Sequence, residues 1–590
     1  NQPFIPKVIH VGDRVSLSGR VGEFSKAPMM ESPEYEIINP NYPTIHTGRL
    51  VPVYPETKGL TSKWLRRQVY TTLRDLREQI SETLPKELID NQNLLSRKKT
   101  LEEIHFPTSY EMVEKARLRL SFEELFTLHL KNLHRKKQWD QFLKGHAFDI
   151  NSYQPQIDTL INSLPFTLTA AQNQAISEML SDLSLHKPMN RLLQGDVGSG
   201  KTVVAMIGMY AAFLNGFKSI LMAPTEILAQ QHYQTISQLL YPFGIKVDLI
   251  TSSIKTTKIK DLKLKNRKDI PNTNIVVGTH AVLNEKLKLE NVGLVVIDEQ
   301  QRFGVEQRAS IRGKGEHPHL LTMTATPIPR TVALTLYGNL DLSYLSQMPK
   351  GRQIIKTWVV PEKKRKSGYE WIKKEIRTHG SQVFIICPLI DESENMATVK
   401  AANKEYERLK KEVFADFGVG LLHGRMKATE KEKVLTAFKE KNYDILVATP
   451  VVEVGIDIPN ATIILIEASE RFGLAQLHQL RGRVGRSQKQ SYCLLFTDST
   501  NVQTAQRLKA METLHNGAAL AQLDFQLRGP GEIYGTIQHG TKQLRFASFS
   551  DTPLLTKTRD LAQKYYDQIE NFPLLKEMLE KLDKTEIAPD

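Results

Sequence analysis

The chain has 590 residues, of which 24% are charged and 40% hydrophobic, and its formal net charge is +14. This length exceeds what one hydrophobic core normally supports, so several domains are expected. No apolar run reaches the roughly 18 residues of a membrane-spanning helix, and no signal peptide is visible, which predicts a cytoplasmic protein with no membrane partner. The excess of Lys and Arg favours a polyanionic partner, although many basic proteins bind none.

The pattern of the N-terminal part changes near residue 60. Residues 1–60 are rich in Pro, Gly and Asn, and Arg14–Val21 alternates with period two, which predicts a half-buried strand. Residues 61–150 have apolar residues at helical spacing, and Ser121, three residues before Glu124, is predicted to cap a helix. We therefore expect a β segment over 1–60 and a helical linker region over 61–150.

Two α/β blocks follow, over residues 151–350 and 351–500. Their apolar runs are continuous rather than alternating, which is typical of parallel strands buried on both faces. The runs are Arg191–Gln194, Ser219–Ala223, Ile275–Val277, Leu294–Ile297 and Leu320–Met323 in the first block, and Val383–Cys387, Gly418–Leu422, Ile445–Ala448, Ile463–Ile466 and Tyr492–Phe496 in the second. The stretch Met348–Lys366 is predicted to link the blocks. Residues 501–590 are predicted to be mainly helical.

A glycine-rich loop in the first block fits the phosphate-loop pattern between a predicted strand and a predicted helix. Its members are Gly195, Gly198, Gly200, Lys201 and Thr202. Glycines let backbone N–H groups approach phosphate oxygens closely. Lys201 would supply a positive charge for the phosphates of ATP, and the hydroxyl of Thr202 is a candidate Mg²⁺ ligand at the start of the helix.

Polar residues at three further positions of the first block could complete this site. Asp298 and Glu299 follow an apolar run, so Asp298 could hold Mg²⁺ and Glu299 could orient or deprotonate the attacking water. A solvated pair of carboxylates at a strand end is the alternative. Thr324 and Thr326 follow another run and could bridge the nucleotide to a second ligand. The amide of Gln172 could both donate to and accept from adenine.

The second block carries a basic segment, Gln479–Arg486, with three arginines among glycines. An arginine finger needs a guanidinium delivered across a cleft, and Arg483 and Arg486 are candidates for that role. A solvated basic helix end is the alternative interpretation. Upstream, Thr449 and Asp457 lie in a segment that follows a predicted strand.

Taken in chain order, the phosphate loop, Asp298–Gln301, Thr324–Thr326 and Gln479–Arg486 resemble the motifs of superfamily 2 helicases. The resemblance implies two tandem RecA-like domains with ATP and Mg²⁺ between them. It implies that Gln172 reads adenine and that Lys201, Thr202, Asp298 and Glu299 form the first half-site. It implies that Gln479, Arg483 and Arg486 complete the site and that Asp457 also contacts the nucleotide.

The same resemblance implies a set of residues that grip the nucleic-acid backbone or couple that grip to the nucleotide. They are Pro224, Thr225, Thr279, His280, Thr324, Thr326 and Thr449. Because contacts to phosphates carry no sequence information, we expect recognition of structure rather than of sequence.

The flanks of these motifs resemble the RecG family and the transcription-repair coupling factors. The segments that carry this resemblance are Asp298–Val305 and Thr326–Thr331, followed by Asp524–Glu532 and Gln538–Gly540. The last two resemble a translocation motif in which a helical hairpin couples domain closure to duplex movement, with Arg507, Arg528 and Gln538 at its matching positions. A Gly-Pro loop between packed helices is the alternative.

Segments Thr47–Pro55 and Ile104–Pro107 resemble those that join the RecG wedge domain, an OB-fold, to its motor. The chain is therefore expected to begin with a partial OB-fold that lacks its first strands. Two departures from the family pattern stand out. Gln301 occupies a position where His is usual, and Gly517–Ala519 lacks the larger apolar residue often found after the glycine.

The resemblance implies an α/β enzyme, an ATP-dependent DNA helicase that remodels forks and four-way junctions in recombination and repair. A monomer is expected, with single-strand-binding protein as a further candidate partner. Three alternatives remain open: a duplex translocase of the transcription-repair coupling type, an RNA helicase of the same superfamily, and a non-catalytic module that uses ATP as a conformational ligand.

Overall fold

The computed structural model describes most of the chain. The described residues are 8–24, 27–40, 43–142, 145–251, 273–283, 289–299, 317–336, 338, 340–349, 351–388, 403–450, 458–485, 489–528 and 544–585. Two compact units emerge, one of Asn1–His134 with Lys542–Ile587 and one of Arg135–Thr541 with Ala588–Asp590. The five-segment division expected from the sequence is finer than this and stays a prediction.

The first unit combines a β-hairpin with helices from both ends of the chain. Strands β1 (Val15–Phe24) and β2 (Ala27–Ile37) pair antiparallel, with an irregular register between Ser18 and Arg20. The helices of this part are Ser62–Asp75, Lys86–Asn91, Arg97–His105, Tyr110–Phe142, Thr552–Tyr566 and Pro573–Thr585.

The predicted strand Arg14–Val21 is confirmed as β1, but the prediction that it is half-buried is wrong. Leu17 is 50% exposed and Val21 is 73% exposed. Leu17 pairs with Tyr35 and Val21 with Met30. Among the described residues no further strand joins this hairpin, and two strands alone cannot cover an apolar face.

Ser121 does not cap a helix, contrary to the sequence prediction. It lies inside the 33-residue helix Tyr110–Phe142. The carboxylate of Glu124 instead accepts hydrogen bonds from the backbone N–H groups of Arg545 at 2.7 Å, Phe546 at 2.9 Å and Ala547 at 2.9 Å. The Ser-x-x-Glu spacing also occurs within helices, so the pattern alone could not locate a helix start.

A buried arginine crosslinks the helices of the first unit. The Arg119 side chain is fully buried and donates to the Leu95 carbonyl at 3.1 Å, to Glu82 at 2.6 Å and to Glu123 at 2.5 Å. A buried guanidinium is tolerated when carboxylates and a carbonyl satisfy it in this way. Arg119 therefore fixes helix Tyr110–Phe142 against the segments that contain Glu82 and Leu95.

The second unit contains a seven-stranded parallel sheet with the order β5-β6-β4-β7-β8-β3-β9. Its strands are β3 (Asn190–Gly195), β4 (Lys218–Met222), β5 (Val247–Ile250), β6 (Ile275–Gly278), β7 (Val292–Asp298), β8 (His319–Thr324) and β9 (Asp341–Leu345). All five runs predicted from the sequence are confirmed. The two edge strands, β5 and β9, were not predicted, because each carries an aspartate that breaks its apolar run.

A six-stranded parallel sheet follows, with the order β10-β15-β14-β11-β13-β12. Its strands are β10 (Lys356–Pro361), β11 (Gln382–Ile386), β12 (Val419–Leu422), β13 (Ile445–Ala448), β14 (Ala461–Ile466) and β15 (Tyr492–Thr497). The five predicted runs are again confirmed. Strand β10 lies within the predicted linker Met348–Lys366, so that linker was predicted too long. An edge position tolerates the lysine and proline that suggested a linker.

Helices cover the faces of both sheets. They are Ile150–Ser163, Ala170–Leu183, Lys201–Leu214, Glu226–Leu240, Arg330–Leu336, Arg365–His379, Ala428–Lys439, Leu474–Arg481, Val502–Thr513 and Gly517–Arg528. None of the helices in the described ranges is both long and apolar enough to cross a membrane. Cys387 and Cys493 are free and buried.

The Glu124 contact gives a test of the first unit. Glu124→Ala removes the acceptor for three consecutive backbone N–H groups, so the segment at Arg545 should open locally. We expect trypsin to cut after Arg545 at least about tenfold faster, since an opening cost lowered by roughly 1.4 kcal/mol gives that factor. Glu114→Ala, an exposed change on the same helix, is the matched control. Equal cleavage rates in both variants would contradict the assigned role of Glu124.

Candidate nucleotide site

The phosphate loop has a backbone that requires glycine at two positions. Gly198 has φ +79° and Gly200 has φ +86°, both in the left-handed region. A side chain at Gly198 would clash with the guanidinium of Arg352, and one at Gly200 would clash with the amide of Gln172. The glycines therefore permit both the turn and the close approach of two side chains from elsewhere in the chain.

Lys201 begins the helix that follows the loop, and its ammonium group turns back onto the loop. Its Nζ donates to the carbonyl oxygens of Gly195 at 2.7 Å and Asp196 at 3.0 Å. Thr202, the next residue, is partly exposed. The two predicted ligands of phosphate and Mg²⁺ thus sit together at a helix N-terminus, where the helix dipole favours an anion.

Charges from both sheets surround Lys201. Burial lowers the pKa of Lys201, an effect that Glu299, Asp298 and Asp196 oppose and Arg483 reinforces. Arg483 belongs to the second sheet domain and is 3% exposed. The structure therefore brings together the lysine, both predicted carboxylates and one predicted arginine.

Each of the two carboxylates at the end of β7 has its own partner. Asp298 is buried, and its Oδ2 lies 2.8 Å from Nε2 of His232. Glu299 has φ +53°, which is unusual for a residue with a side chain, and it accepts a bond from the Ala325 N–H at 3.4 Å. Backbone strain of this kind clusters at functional sites. Sequence reasoning missed His232, which lies far from the motif in the chain.

The turn after β8 makes a direct contact between the two domains. Thr324 Oγ1 accepts from the Thr326 N–H at 3.1 Å, and Gln479 Nε2 donates to Thr326 Oγ1 at 3.3 Å. Gln194 of β3 donates to the Ile328 carbonyl at 2.7 Å, which holds the same turn from the other side. Gln479 thus contacts the first domain through Thr326, and its role at the nucleotide stays a prediction.

Gln172 lies against the phosphate loop. Its Oε1 accepts from the Thr169 N–H at 2.8 Å, and its Nε2 donates to the Ser199 carbonyl at 2.8 Å. The side chain is part of a capping box at the start of helix Ala170–Leu183. Both amide atoms therefore bond to backbone groups here, and adenine recognition by Gln172 stays a prediction.

Arg352 is a site residue that sequence reasoning missed. Its Nη1 donates to the Val197 carbonyl at 2.8 Å and its Nε donates to the Gly485 carbonyl at 2.7 Å. One guanidinium thus joins the phosphate loop to the arginine-rich loop of the second domain. Its position in the segment between the two predicted α/β blocks was the available signal.

The residues expected to grip nucleic acid lie after the carboxyl ends of strands. Pro224 and Thr225 follow β4, and Thr225 caps the next helix by accepting from the Leu228 N–H at 3.3 Å. Thr279 is buried and His280 exposed after β6, and Thr449 is buried after β13. Their role in binding DNA stays a prediction.

Of the remaining predicted residues, Arg507 is buried, and several others lie outside the described part of the chain. Arg507 is buried and donates to the Glu470 carbonyl at 2.6 Å. The backbone of Arg528 ends helix Gly517–Arg528. The side chain of Arg528 lies outside the described residues, as do the whole of Gln301, Asp457, Arg486 and Gln538.

The donors present fit Mg²⁺ bound together with a nucleotide. Within the described ranges, no group of three or more His, Cys, Asp or Glu side chains is placed to hold a metal ion. Mg²⁺ commonly binds through one or two protein oxygens together with substrate phosphates. Thr202 and Asp298 match that requirement and do not suggest a metal site independent of ATP.

The bridge made by Arg352 can be tested. Arg352→Lys keeps the charge, but one ammonium cannot reproduce the two fixed N–H donors. Losing about 1.4 kcal/mol of cross-domain contact should lower the ATP hydrolysis rate about tenfold. Arg377→Lys, an exposed change in the second domain, is the control. An unchanged rate in Arg352→Lys would show that the bridge does not support the site.

Two protein families match the two sheet domains. The DEAD/DEAH box helicase family matches residues 169–335, and the family described as helicase conserved C-terminal domain matches residues 367–488. The matches include the phosphate loop, the Asp298–Glu299 pair and the whole of the basic segment Gln479–Arg486.

Similar curated proteins share one name, ATP-dependent DNA helicase RecG. The protein from Synechocystis sp. is 44% identical over 554 residues, which cover 93% of this chain and 66% of that protein. The protein from Thermotoga maritima is 41% identical over 521 residues and is covered to 66%. This chain therefore spans slightly less than two thirds of either relative. The Streptococcus pneumoniae protein is 39% identical over 572 residues, covering 97% of this chain and 83% of that one.

A solved structure of RecG bound to a three-way DNA junction is similar over most of the chain. The TM-score is 0.71 at 37% sequence identity, and the match covers 92% of this chain and 70% of that chain. The two parallel sheets, the N-terminal hairpin and the helical parts thus follow the architecture expected from the sequence.

Proposed function

Since this chain belongs to the RecG family of ATP-dependent DNA helicases, we propose that it hydrolyses ATP to drive movement along branched duplex DNA. Its substrates would be replication forks and four-way junctions, remodelled in recombination and repair. The observation that carries the proposal is a nucleotide site built from both sheets, in which Gln479 of the second domain contacts Thr326 of the first and the charge of Arg483 acts on Lys201.

Each residue at this site would have a separate role in ATP hydrolysis. Lys201 would leave the loop carbonyls and donate to the phosphates, while Thr202 and Asp298 would hold Mg²⁺. When bound there, Mg²⁺ would offset the negative charge of the phosphates. Glu299, fixed beside the Ala325 N–H, would orient or deprotonate the attacking water. Arg483 would stabilise the negative charge that develops on the transferred group.

ATP would act by drawing the two sheet domains together. The contacts Gln479–Thr326 and Arg352–Val197 already join them at the loop that would hold the phosphates. Hydrolysis removes the γ-phosphate that favours closure, so each cycle would move one domain against the other. With Thr225, Thr279 and Thr449 on the duplex backbone, this motion would advance DNA. A monomer would suffice, because one chain supplies both halves of the site.

The assignment of Glu299 predicts a specific kinetic defect. Glu299→Gln keeps the shape and one acceptor oxygen but removes the base, so hydrolysis should fall by about 10²–10⁴-fold. Binding of a fluorescent ATP analogue should change little, because the phosphate contacts remain. Glu290→Gln, an exposed change near the same strand, should leave the rate unaffected. Full turnover by Glu299→Gln would refute this role.

The choice of DNA substrate is tested by the ATP hydrolysis rate at fixed salt, measured alone, with linear duplex, with RNA and with a synthetic fork. We expect the fork to stimulate the rate most and to be converted to a four-way junction. Equal stimulation by linear duplex and fork would favour a duplex translocase without junction recognition. Stimulation by RNA alone would contradict the proposal.

A further inference from the structure

The carboxylate of Asp196, inside the phosphate loop, is bonded to the second domain. Its Oδ1 lies 3.2 Å from Nε2 of His478, in the second domain, and its Oδ2 accepts from the Gly517 N–H at 3.2 Å. The Asp196 and His478 side chains are 14% and 7% exposed. The phosphate-loop pattern leaves this position unspecified, so phosphate binding does not explain an aspartate here.

The hydrogen bonds of His478 fix its protonated nitrogen. Arg481 Nη2 lies 2.9 Å from His478 Nδ1. A guanidinium can only donate, so Nδ1 accepts and Nε2 carries the hydrogen that is directed at Asp196. Burial raises the pKa of Asp196, but the hydrogen bonds from His478 and from the Gly517 N–H, together with the charge of Lys201, outweigh it, and the pKa is lowered overall. An ionised carboxylate thus receives two donors from the second domain.

Gly517 is the residue type that this junction requires. A Cβ at position 517 would clash with Asp196 Oδ1 and would lie 2.9 Å from both His478 Nε2 and Pro327 Cβ. The phosphate loop, the turn after β8 and the second domain therefore meet at Gly517. This glycine also begins helix Gly517–Arg528, which leads into the segment that resembles a translocation motif.

The same helix is tied to the second domain farther along. Asp524 Oδ2 accepts from the N–H of Leu474, the first residue of helix Leu474–Arg481. That helix carries both His478 and Gln479. Helix Gly517–Arg528 is therefore bonded to the phosphate loop through Gly517 and to helix Leu474–Arg481 through Asp524.

We propose that Asp196 is a positioning residue that transmits the state of the phosphate loop to helix Gly517–Arg528, an inference that rests on the proposed ATP-driven function. The backbone carbonyl of Asp196 accepts from Lys201 Nζ at 3.0 Å. When Lys201 turns to the phosphates of ATP, that carbonyl keeps only the hydrogen bond that it accepts from the Ser199 N–H at 3.1 Å. The Asp196 carboxylate then shifts against its two partners, and the helix that begins at Gly517 shifts with them.

Hydrogen exchange of the full chain tests this directly. Binding of a non-hydrolysable ATP analogue should change the exchange rate of the Gly517 amide by at least about tenfold, the effect of making or breaking one buried charge-assisted bond. In Asp196→Ala the peptide that contains Gly517 should no longer respond to the analogue. A wild-type peptide that does not respond, or an Asp196→Ala peptide that still does, would overturn the proposal whatever the chain does to DNA.

A second experiment measures coupling. Gly517→Ala should lower the number of forks converted per ATP hydrolysed at least about tenfold, because the added Cβ clashes with Asp196 at the junction. Ala519→Ser, an exposed change in the same helix, is the control and should match the wild type. Equal losses of hydrolysis and conversion in Gly517→Ala would overturn the coupling role and leave the proposed function standing. A wild type that hydrolyses ATP but ignores forks would instead refute the proposed function.

Discussion

Placing a lysine in a partly buried position between two sheets is the constraint on which this site depends. Desolvation disfavours the charged form of Lys201, and the carboxylates of Asp196, Asp298 and Glu299 offset that cost. Each of those carboxylates has its own hydrogen-bond partner. His478 and Gly517 bond to Asp196, and His232 bonds to Asp298. The Ala325 N–H bonds to Glu299. The loop, the strand ends and the second domain are therefore fixed together by one chain of charge compensation.

Much of the fold could be predicted because a buried parallel strand has a continuous run of apolar residues in the sequence. Every such run that was predicted proved to be a strand. The edge strands β5 and β9 were not predicted, because Asp248 and Asp341 interrupt their apolar runs. Aspartates are tolerated there because one side of an edge strand meets solvent. Ser121 was misassigned because a capping pattern has no meaning inside a continuous helix. The motif residues were located by local spacing. Arg352, His232 and His478 were missed because their partners are distant in the chain, and no local pattern records them.

The glycines of this protein divide into two kinds. Gly198 and Gly200 adopt left-handed backbone conformations, so their identity follows from local geometry. Gly517 is required only by its neighbours, since Asp196, His478 and Pro327 occupy the space of a side chain. The second kind marks a place where three parts of the chain must approach closely. Such a place can transmit a small movement of the phosphate loop to a helix that is distant in the chain, because tightly packed contacts have few alternative arrangements.

The central claim, that ATP draws the two sheet domains together, is tested most directly by the distance between them. Cysteines introduced as Tyr241→Cys, where Tyr241 is 82% exposed, and Glu440→Cys would carry a fluorescent pair. The native Cys387 and Cys493 are buried, and burial raises the pKa of Cys493 to about 12, so they should not react. In the Glu299→Gln background, ATP should shorten and narrow the distance distribution. A distribution that is the same with and without ATP would contradict the account.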